Sequence, residues 1–397
     1  MDHYMDRFNE GEMTPEEILE IIKKFNSFLT LKGRPCVSLK RQLERLPVAE
    51  LRALSRDYRV DAAGLKKAEL IDQIFNAMVE GSAIKGMLLA LSRETRDFLL
   101  HVAKEKNGKY ETEMESPDLF YMALQWGLMG MYREDDHFVF VVTKEMRETL
   151  EKVMDDEDFA EILYQYETLE ITLHACVNLY GIIKREDVID VFQKYFPENT
   201  LQESADDIMS EFIADRDWVC AKGGYLCFPF FEEAPDSVID ENYHIAKSNG
   251  RYYPSFDDFI QYCDFDYEEA SEGAATLFGV LTNITRDEFL AEEIINSAVT
   301  IFRTGGDIED FDALLINEWM DEIGEENFAY VSETAEFFSG FVHSWIYCGY
   351  SFNDVCGVST KPSLSVIEGG KPSRSDSKNE TDQDRHPDDH KPKLRLL

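Results

Sequence analysis

The residue types that usually carry chemistry are present in this chain, but they are scattered. Asp264, Asp266 and Glu268 hold the first, third and fifth places of a calcium-loop pattern. Glu269 then stands where such a loop needs glycine, and Ala275 where it needs a bidentate glutamate, so no calcium site is expected. The seven cysteines, at 36, 176, 220, 227, 263, 348 and 356, form no CxxC pair. Cys220 and Cys227 are placed to face each other across a hairpin, where two buried free thiols are the expectation rather than a metal. His386 and His390 lie four apart among Asp384, Asp388 and Asp389, a spacing that supports at most an adventitious metal contact. His101, His137, His174, His244 and His343 stand alone, and HExxH, GxSxG and GxGxxG are all absent. The run Asp155-Asp-Glu-Asp158 reads as a solvated helix start. These residues predict a non-catalytic chain with no cofactor and no metal.

Charge carries more information. The 397 residues hold 79 Asp and Glu against 40 Lys and Arg, a net charge of -39. A surface this acidic does not coat nucleic acid or an anionic membrane as a whole. The charge is also uneven. Residues 81–360 contain 19 basic and 58 acidic residues, whereas residues 31–60 contain eight basic residues (Lys32, Arg34, Lys40, Arg41, Arg45, Arg52, Arg56, Arg59) against Glu44, Glu50 and Asp57. The pattern fits an anion-binding module ahead of a repelling, protein-binding body. A solvated helix face that happens to be basic fits it too, and charge alone leaves both readings open. No apolar run approaches 18 residues and the N-terminus is polar and acidic, so neither a membrane span nor a secretory signal is expected. Together with the cysteine usage this predicts a reduced, cytoplasmic chain.

The elements that must position these residues are mainly helical, an α+β chain with small β-hairpins. Residues 1–35 carry an amphipathic helix over 13–31, with Thr14, Pro15 and Glu17 as start signals and Ile18, Ile21, Ile22 and Phe25 as its stripe. Residues 36–82 form a two-helix module. Pro47 starts its first helix, Leu51, Leu54 and Tyr58 line the inner face, and Leu70, Ile71, Ile74 and Phe75 face inward from the second. Residues 83–160 read as helices followed by a hairpin over Met129–Val142. Residues 161–250 repeat that grammar: helices over about 169–180, 185–195 and 202–214, then a hairpin through Lys222-Gly-Gly224 to Phe230. Three helices followed by a two-stranded wing is winged-helix order. The third helix, with Glu203, Asp206, Asp207, Glu211 and Asp215, is acidic, which favours a structural or protein-binding role over DNA contact. Residues 251–357 read as a helical bundle whose last helix covers Ser332–Cys348 and stops at Gly349. Residues 358–397 have the composition of a disordered tail.

The module over 46–78 resembles the N-terminal domain of bacterial transcription termination factor Rho and, more loosely, the SAP module. Lys67-Ala-Glu-Leu-Ile71 matches the signature that opens the last helix of both, and Gly64 stands three residues before Lys67, which suits the Rho-like version. The resemblance implies nucleic-acid binding by residues 40–67, with contacts from Arg52, Arg56, Arg59, Lys66 and Lys67. A helix N-terminus offering free amides to a phosphate makes that chemically sensible. Nothing after residue 80 resembles the oligonucleotide-binding barrel of Rho, and GxxxxGKS and GxxxxGKT are absent, so no ATPase is implied. The overall layout is similar to bacterial proteins that join such a head to a helical body and often end in a SEC-C zinc motif. Trp345-Ile-Tyr-Cys-Gly349 looks like the junction before that motif. No cysteine follows Cys356, so the motif itself is missing.

Overall fold

The computed structural model describes residues 29–112, 120–134, 137–199, 204–248 and 250–357. Most of the helix expected over 13–31, the helix start expected at Ser116-Pro117, Glu203, the His386/His390 pair and the tail from 358 lie outside the described residues. The described chain is mainly helical, with two small antiparallel sheets of three strands each.

The head consists of α1 (Leu39–Arg45), α2 (Val48–Asp57) and α3 (Lys67–Glu80). Pro47 sits at the N-cap of α2, where its fixed backbone angle and missing N–H cost nothing. Leu51, Leu54 and Tyr58 meet Leu70, Ile71, Ile74 and Met78 in the interior. That interior continues without a break through α4 (Ser82–Ala90) and α5 (Arg93–Lys104) to Phe159 and Leu163. Tyr58 strengthens the link by donating its hydroxyl to the Trp126 carbonyl at 3.0 Å. Two short helices bury too little by themselves, and the head gains the rest from this shared core.

The first sheet combines β1 (Lys109–Thr112), β2 (Gly130–Glu134) and β3 (His137–Val141), with α6 (Tyr121–Gln125) between β1 and β2. The order is β1-β3-β2, and Phe140 pairs with Tyr110 on one side and Met131 on the other. Phe98 of α5 stacks on Phe120 at 4.0 Å and meets Phe140 edge-on. Thr143 caps α7 (Lys144–Met154), and Asp156 caps α8 (Glu157–Tyr180), a helix of 24 residues. The first half of α8 packs in the head's core, through Phe159 and Leu163, and the second half in the next core, through Leu169, Leu173 and Cys176.

After α8 come β4 (Ile182–Ile183), α9 (Arg185–Tyr195), α10 (Ala205–Asp215), β5 (Cys220–Lys222) and β6 (Tyr225–Cys227). Their order, β4-β6-β5, repeats that of the first sheet. Gly223 and Gly224 both have positive φ, as a two-residue hairpin turn of this hand requires. The expected hairpins thus each gain a third strand. The second is also shorter than its apolar run suggests. Pro229 has no N–H to give to a ladder, and Pro229–Phe231 is a 3-10 turn instead of strand.

The remaining helices are α11 (Asp236–Lys247), α12 (Phe256–Gln261), α13 (Glu272–Thr285), α14 (Glu288–Thr304), α15 (Ile308–Glu318), α16 (Met320–Ile323), α17 (Glu325–Ser339) and α18 (Phe352–Val355). Leu277, Leu281, Ile294, Phe302, Phe311 and Phe338 form the centre of their core. The helix expected to run to Cys348 ends nine residues earlier, at Ser339. The chain then folds back, and Cys348 and Gly349 both take positive φ. This turn aims Trp345 inward, where its indole N–H donates to the Asn178 carbonyl of α8 at 2.8 Å.

Trp345 also lies against Gly181, whose φ is +71; a Cβ added there would come within 2.4 Å of the indole. Gly250 has a φ of +83 and open space around it. Gly250→Ala is expected to cost only the left-handed strain, about 1–2 kcal/mol. Gly181→Ala adds the steric clash and is expected to cost about 3 kcal/mol or more. Urea unfolding followed by tryptophan fluorescence checks this, and equal losses for the two variants would contradict the close fit of Trp345.

Candidate functional site

The turn between α2 and α3 brings the sequence-predicted basic residues to one end of the head. Val60 N–H reaches back to the Ser55 carbonyl at 2.7 Å, and Arg59 N–H to that of Arg56 at 3.0 Å. This closure holds Arg59 at a φ of +54, a left-handed conformation that is unusual for a residue other than glycine. Asp61 accepts from Ala63 N–H at 2.9 Å, and Gly64 supplies the second positive φ. The Glu69 carboxylate accepts the Lys66 N–H at 2.9 Å, which fixes the start of α3. Arg52 and Arg56 are one helical turn apart on the solvent face of α2, and Arg59, Lys66 and Lys67 surround the turn. All five are exposed.

They differ in what they touch. Lys67 donates to the Glu44 carbonyl at 2.9 Å and so stitches α3 to α1. Among the described residues the side chains of Arg52, Arg56, Arg59 and Lys66 form no ion pair. Burial pushes the Asp57 carboxyl above its ordinary range, and the Arg56 charge beside it opposes that shift. Elsewhere in the basic island, Lys40 pairs with Asp72 at 2.6 Å, and Arg45 donates to the Arg34 carbonyl at 2.7 Å. The free amides at the start of α3, its positive dipole end and four unengaged cations together make an electropositive surface suited to a phosphate. The third helix of the second unit contrasts with this: Asp206, Asp207 and Glu211 on α10 are exposed.

The residues tested for other chemistry go elsewhere. Cys220 and Cys227 are directly opposed across β5 and β6 and both are free. Burial raises both thiols, that of Cys227 to about 12, so neither is a ready nucleophile. Among the described residues no group of three or more His, Cys, Asp or Glu is disposed to hold a metal ion.

Glu268 and His343, which the sequence leaves as isolated residues, meet in a buried cluster. The Arg303 guanidinium approaches Glu268 Oε2 at 3.0 Å, and it also donates to the carbonyls of Phe265 and Tyr267. His343 Nδ1 bonds to Glu268 Oε1, and the His343 backbone N–H donates to Oε2 at 3.1 Å. The exposed fractions of the side chains are 6% for Glu268, 0% for Arg303 and 8% for His343. Tyr252 stacks on the His343 ring and donates to Glu269 at 2.9 Å. Burial works against ionisation of Glu268, but His343 and Arg303 outweigh it and lower its carboxyl. Burial likewise works against the imidazolium of His343, and Glu268 outweighs it and raises the ring. Such a sealed cluster cannot meet a solute, and its role is to join segments. Arg303 closing the apolar stripe Val299, Ile301, Phe302 was the only local sign of it.

Comparison of the chain with protein-family models, curated proteins and solved structures gives no match.

The cluster predicts a pH dependence of defined sign. Because the folded His343 is raised above its ordinary 6.5, its stabilisation is present at low pH and is lost as pH rises through the raised value. The contribution of Glu268, lowered from 4.5, is present above that value and is lost on acidification. Glu268→Gln is expected to cost about 3 kcal/mol, because Arg303 stays buried without its counter-charge. It should also flatten the loss of stability that His343 causes as pH rises above its ordinary 6.5. Urea midpoints of both proteins as pH is raised test the sign.

Proposed function

We propose that the chain binds the phosphate backbone of nucleic acid through its head, without acting as an enzyme, while the acidic body makes contacts with protein. The observation that carries this reading is the cluster of exposed Arg52, Arg56, Arg59, Lys66 and Lys67 around the N-terminus of α3. Three features support it. The Rho-like signature Lys67-Ala-Glu-Leu-Ile71 forms the first turns of α3. The cations stand out from a body that is strongly acidic and would repel phosphate over most of its surface. The shared strand orders β1-β3-β2 and β4-β6-β5 support reading the two sheet-bearing units as winged-helix-like, a kind of module that often accompanies nucleic-acid binders. The acidic α10 favours structural or protein contact over DNA contact for the second unit. A cytoplasmic, transcription-associated role fits this arrangement. Protein contact by the body is favoured by apolar side chains left in solvent on the helices after residue 271: Phe289 is 84% exposed, and Ile316, Tyr330 and Phe337 are exposed too.

Fluorescence anisotropy of the full chain with labelled duplex DNA and single-stranded RNA tests the head. Binding is expected to be sequence-tolerant and to weaken steeply with salt. Replacing Arg52, Arg56 and Arg59 together by alanine should reduce the slope of log affinity against log salt by about two to three. Unchanged affinity in the triple variant would refute the assignment.

A further inference from the structure

A cleft of about 830 Å³ opens between the first sheet-bearing unit and the second. Glu167, Glu170 and Arg216 lie on its floor, held by two ion pairs. Arg96 meets Glu167 at 2.8 Å, and Arg216 meets Glu170 at 2.8 Å. Arg216 also donates to the carbonyls of Ala90 and Leu91, so each of its three nitrogens makes a hydrogen bond.

The walls are aromatic. His174 of α8 stacks on Trp218 with the rings 4.1 Å apart and 16° from parallel, and Trp126 and Tyr121 line the cleft as well. Burial pushes His174 down to about 4, with Asp217 and Asp264 opposing the shift, so the ring is uncharged at neutral pH. Among the described residues, neither ring nitrogen of His174 has a hydrogen-bond partner, and neither do the indole N–H groups of Trp126 and Trp218.

The remaining charges are mostly negative. Glu94 and Asp217 line the cleft, are exposed and form no ion pair among the described residues. The remaining cation of the lining, Arg93, is drawn to Asp97 at 3.7 Å. With both floor pairs neutralised, the cleft presents π faces, a neutral imidazole acceptor and two free carboxylates. A phosphate or carboxylate ligand would be repelled there. A planar or alkylated cation would find aromatic faces to lie on and carboxylates to pair with.

We propose that this cleft receives an arginine side chain of a basic partner polypeptide. The guanidinium would lie against the aromatic wall and pair with Asp217 and Glu94. The proposal is independent of the head, which recognises the opposite charge.

Isothermal titration and tryptophan fluorescence on the full chain test it, with an acetylated Arg-Gly-Arg-Gly peptide as probe and the same peptide carrying citrulline, the uncharged isostere of arginine, as comparison. The arginine peptide is expected to bind and to quench part of the tryptophan emission. The citrulline peptide should bind roughly tenfold more weakly or not at all. Asp217→Asn should weaken the arginine peptide several-fold, and Glu325→Gln, a charge change on the exposed start of α17, should leave it unchanged. Equal binding of the two peptides would overturn the proposal. So would an equal effect of the Asp217 and Glu325 variants, which would show attraction to bulk negative charge. Tighter binding of adenosine monophosphate than of the arginine peptide would assign the cleft to a nucleobase instead.

Discussion

A carboxylate taken out of water must be opposed by cations, and Glu268 is opposed by two. It sits on the loop between α12 and α13. Arg303 reaches it from the C-terminal end of α14, and His343 from the turn after α17. Three separate stretches of chain must therefore arrive together for any of the three charges to be satisfied. The Coulomb attraction in such a site roughly offsets the desolvation of its members, so its net contribution to stability is small. The cost of separating the partners is large, because each would be left buried and unpaired. That asymmetry makes the cluster a condition on how the last helices dock rather than a source of binding energy. Apolar contact supplies the energy a few residues further on, where Trp345 settles against Gly181 and bonds to the end of α8.

The same device recurs wherever segments of the acidic body meet. Arg96 pairs with Glu167 and Arg216 with Glu170, where the first unit meets the second. Asp187 is held by Arg251 at 3.0 Å, by Lys247 at 3.1 Å and by the Tyr243 hydroxyl, and Arg251 lies over the Tyr180 ring. Residues 81–360 contain only 19 basic residues. Several of the arginines among them are enclosed at these junctions, each with its own carboxylate partner. On the head, Arg52, Arg56, Arg59 and Lys66 are exposed and form no ion pair among the described residues.

Features with a local cause are visible in the residues themselves. The helical period of Leu70, Ile71, Ile74 and Phe75, the stop at Gly181 and the Gly223-Gly224 turn all predict what the structure contains. The exposure of Arg52, Arg56 and Arg59 follows from the same periodicity, because the inner face of α2 is already taken by Leu51, Leu54 and Tyr58. Features with a non-local cause are not visible. β4 is two residues long and exists because β6 lies beside it. The α8 helix begins at Glu157, twelve residues before its strongest apolar stretch, because Asp156 caps it and Phe159 finds the head's core. The apolar period around Phe338, Phe341 and Val342 would continue α17. The helix ends at Ser339 because His343 and Trp345 have partners that lie 75 and 167 residues away in sequence.

Pairing at such separations also explains why the cleft escapes a motif search. His174, Trp218, Trp126, Glu94 and Asp217 come from α8, the strand approach after α10, the end of α6 and the start of α5. None of them is within hydrogen-bonding reach of a partner that a local pattern would encode. What assembles them is the floor beneath, where Arg216 binds Glu170 and two carbonyls at the end of α4 and thereby fixes the spacing between the two units. Arg96 and Arg216 are taken up by Glu167 and Glu170, and Glu94 and Asp217 form no ion pair among the described residues. The buried pairs that hold an acidic chain together thus also set the spacing of the aromatic faces and exposed carboxylates that line this cleft.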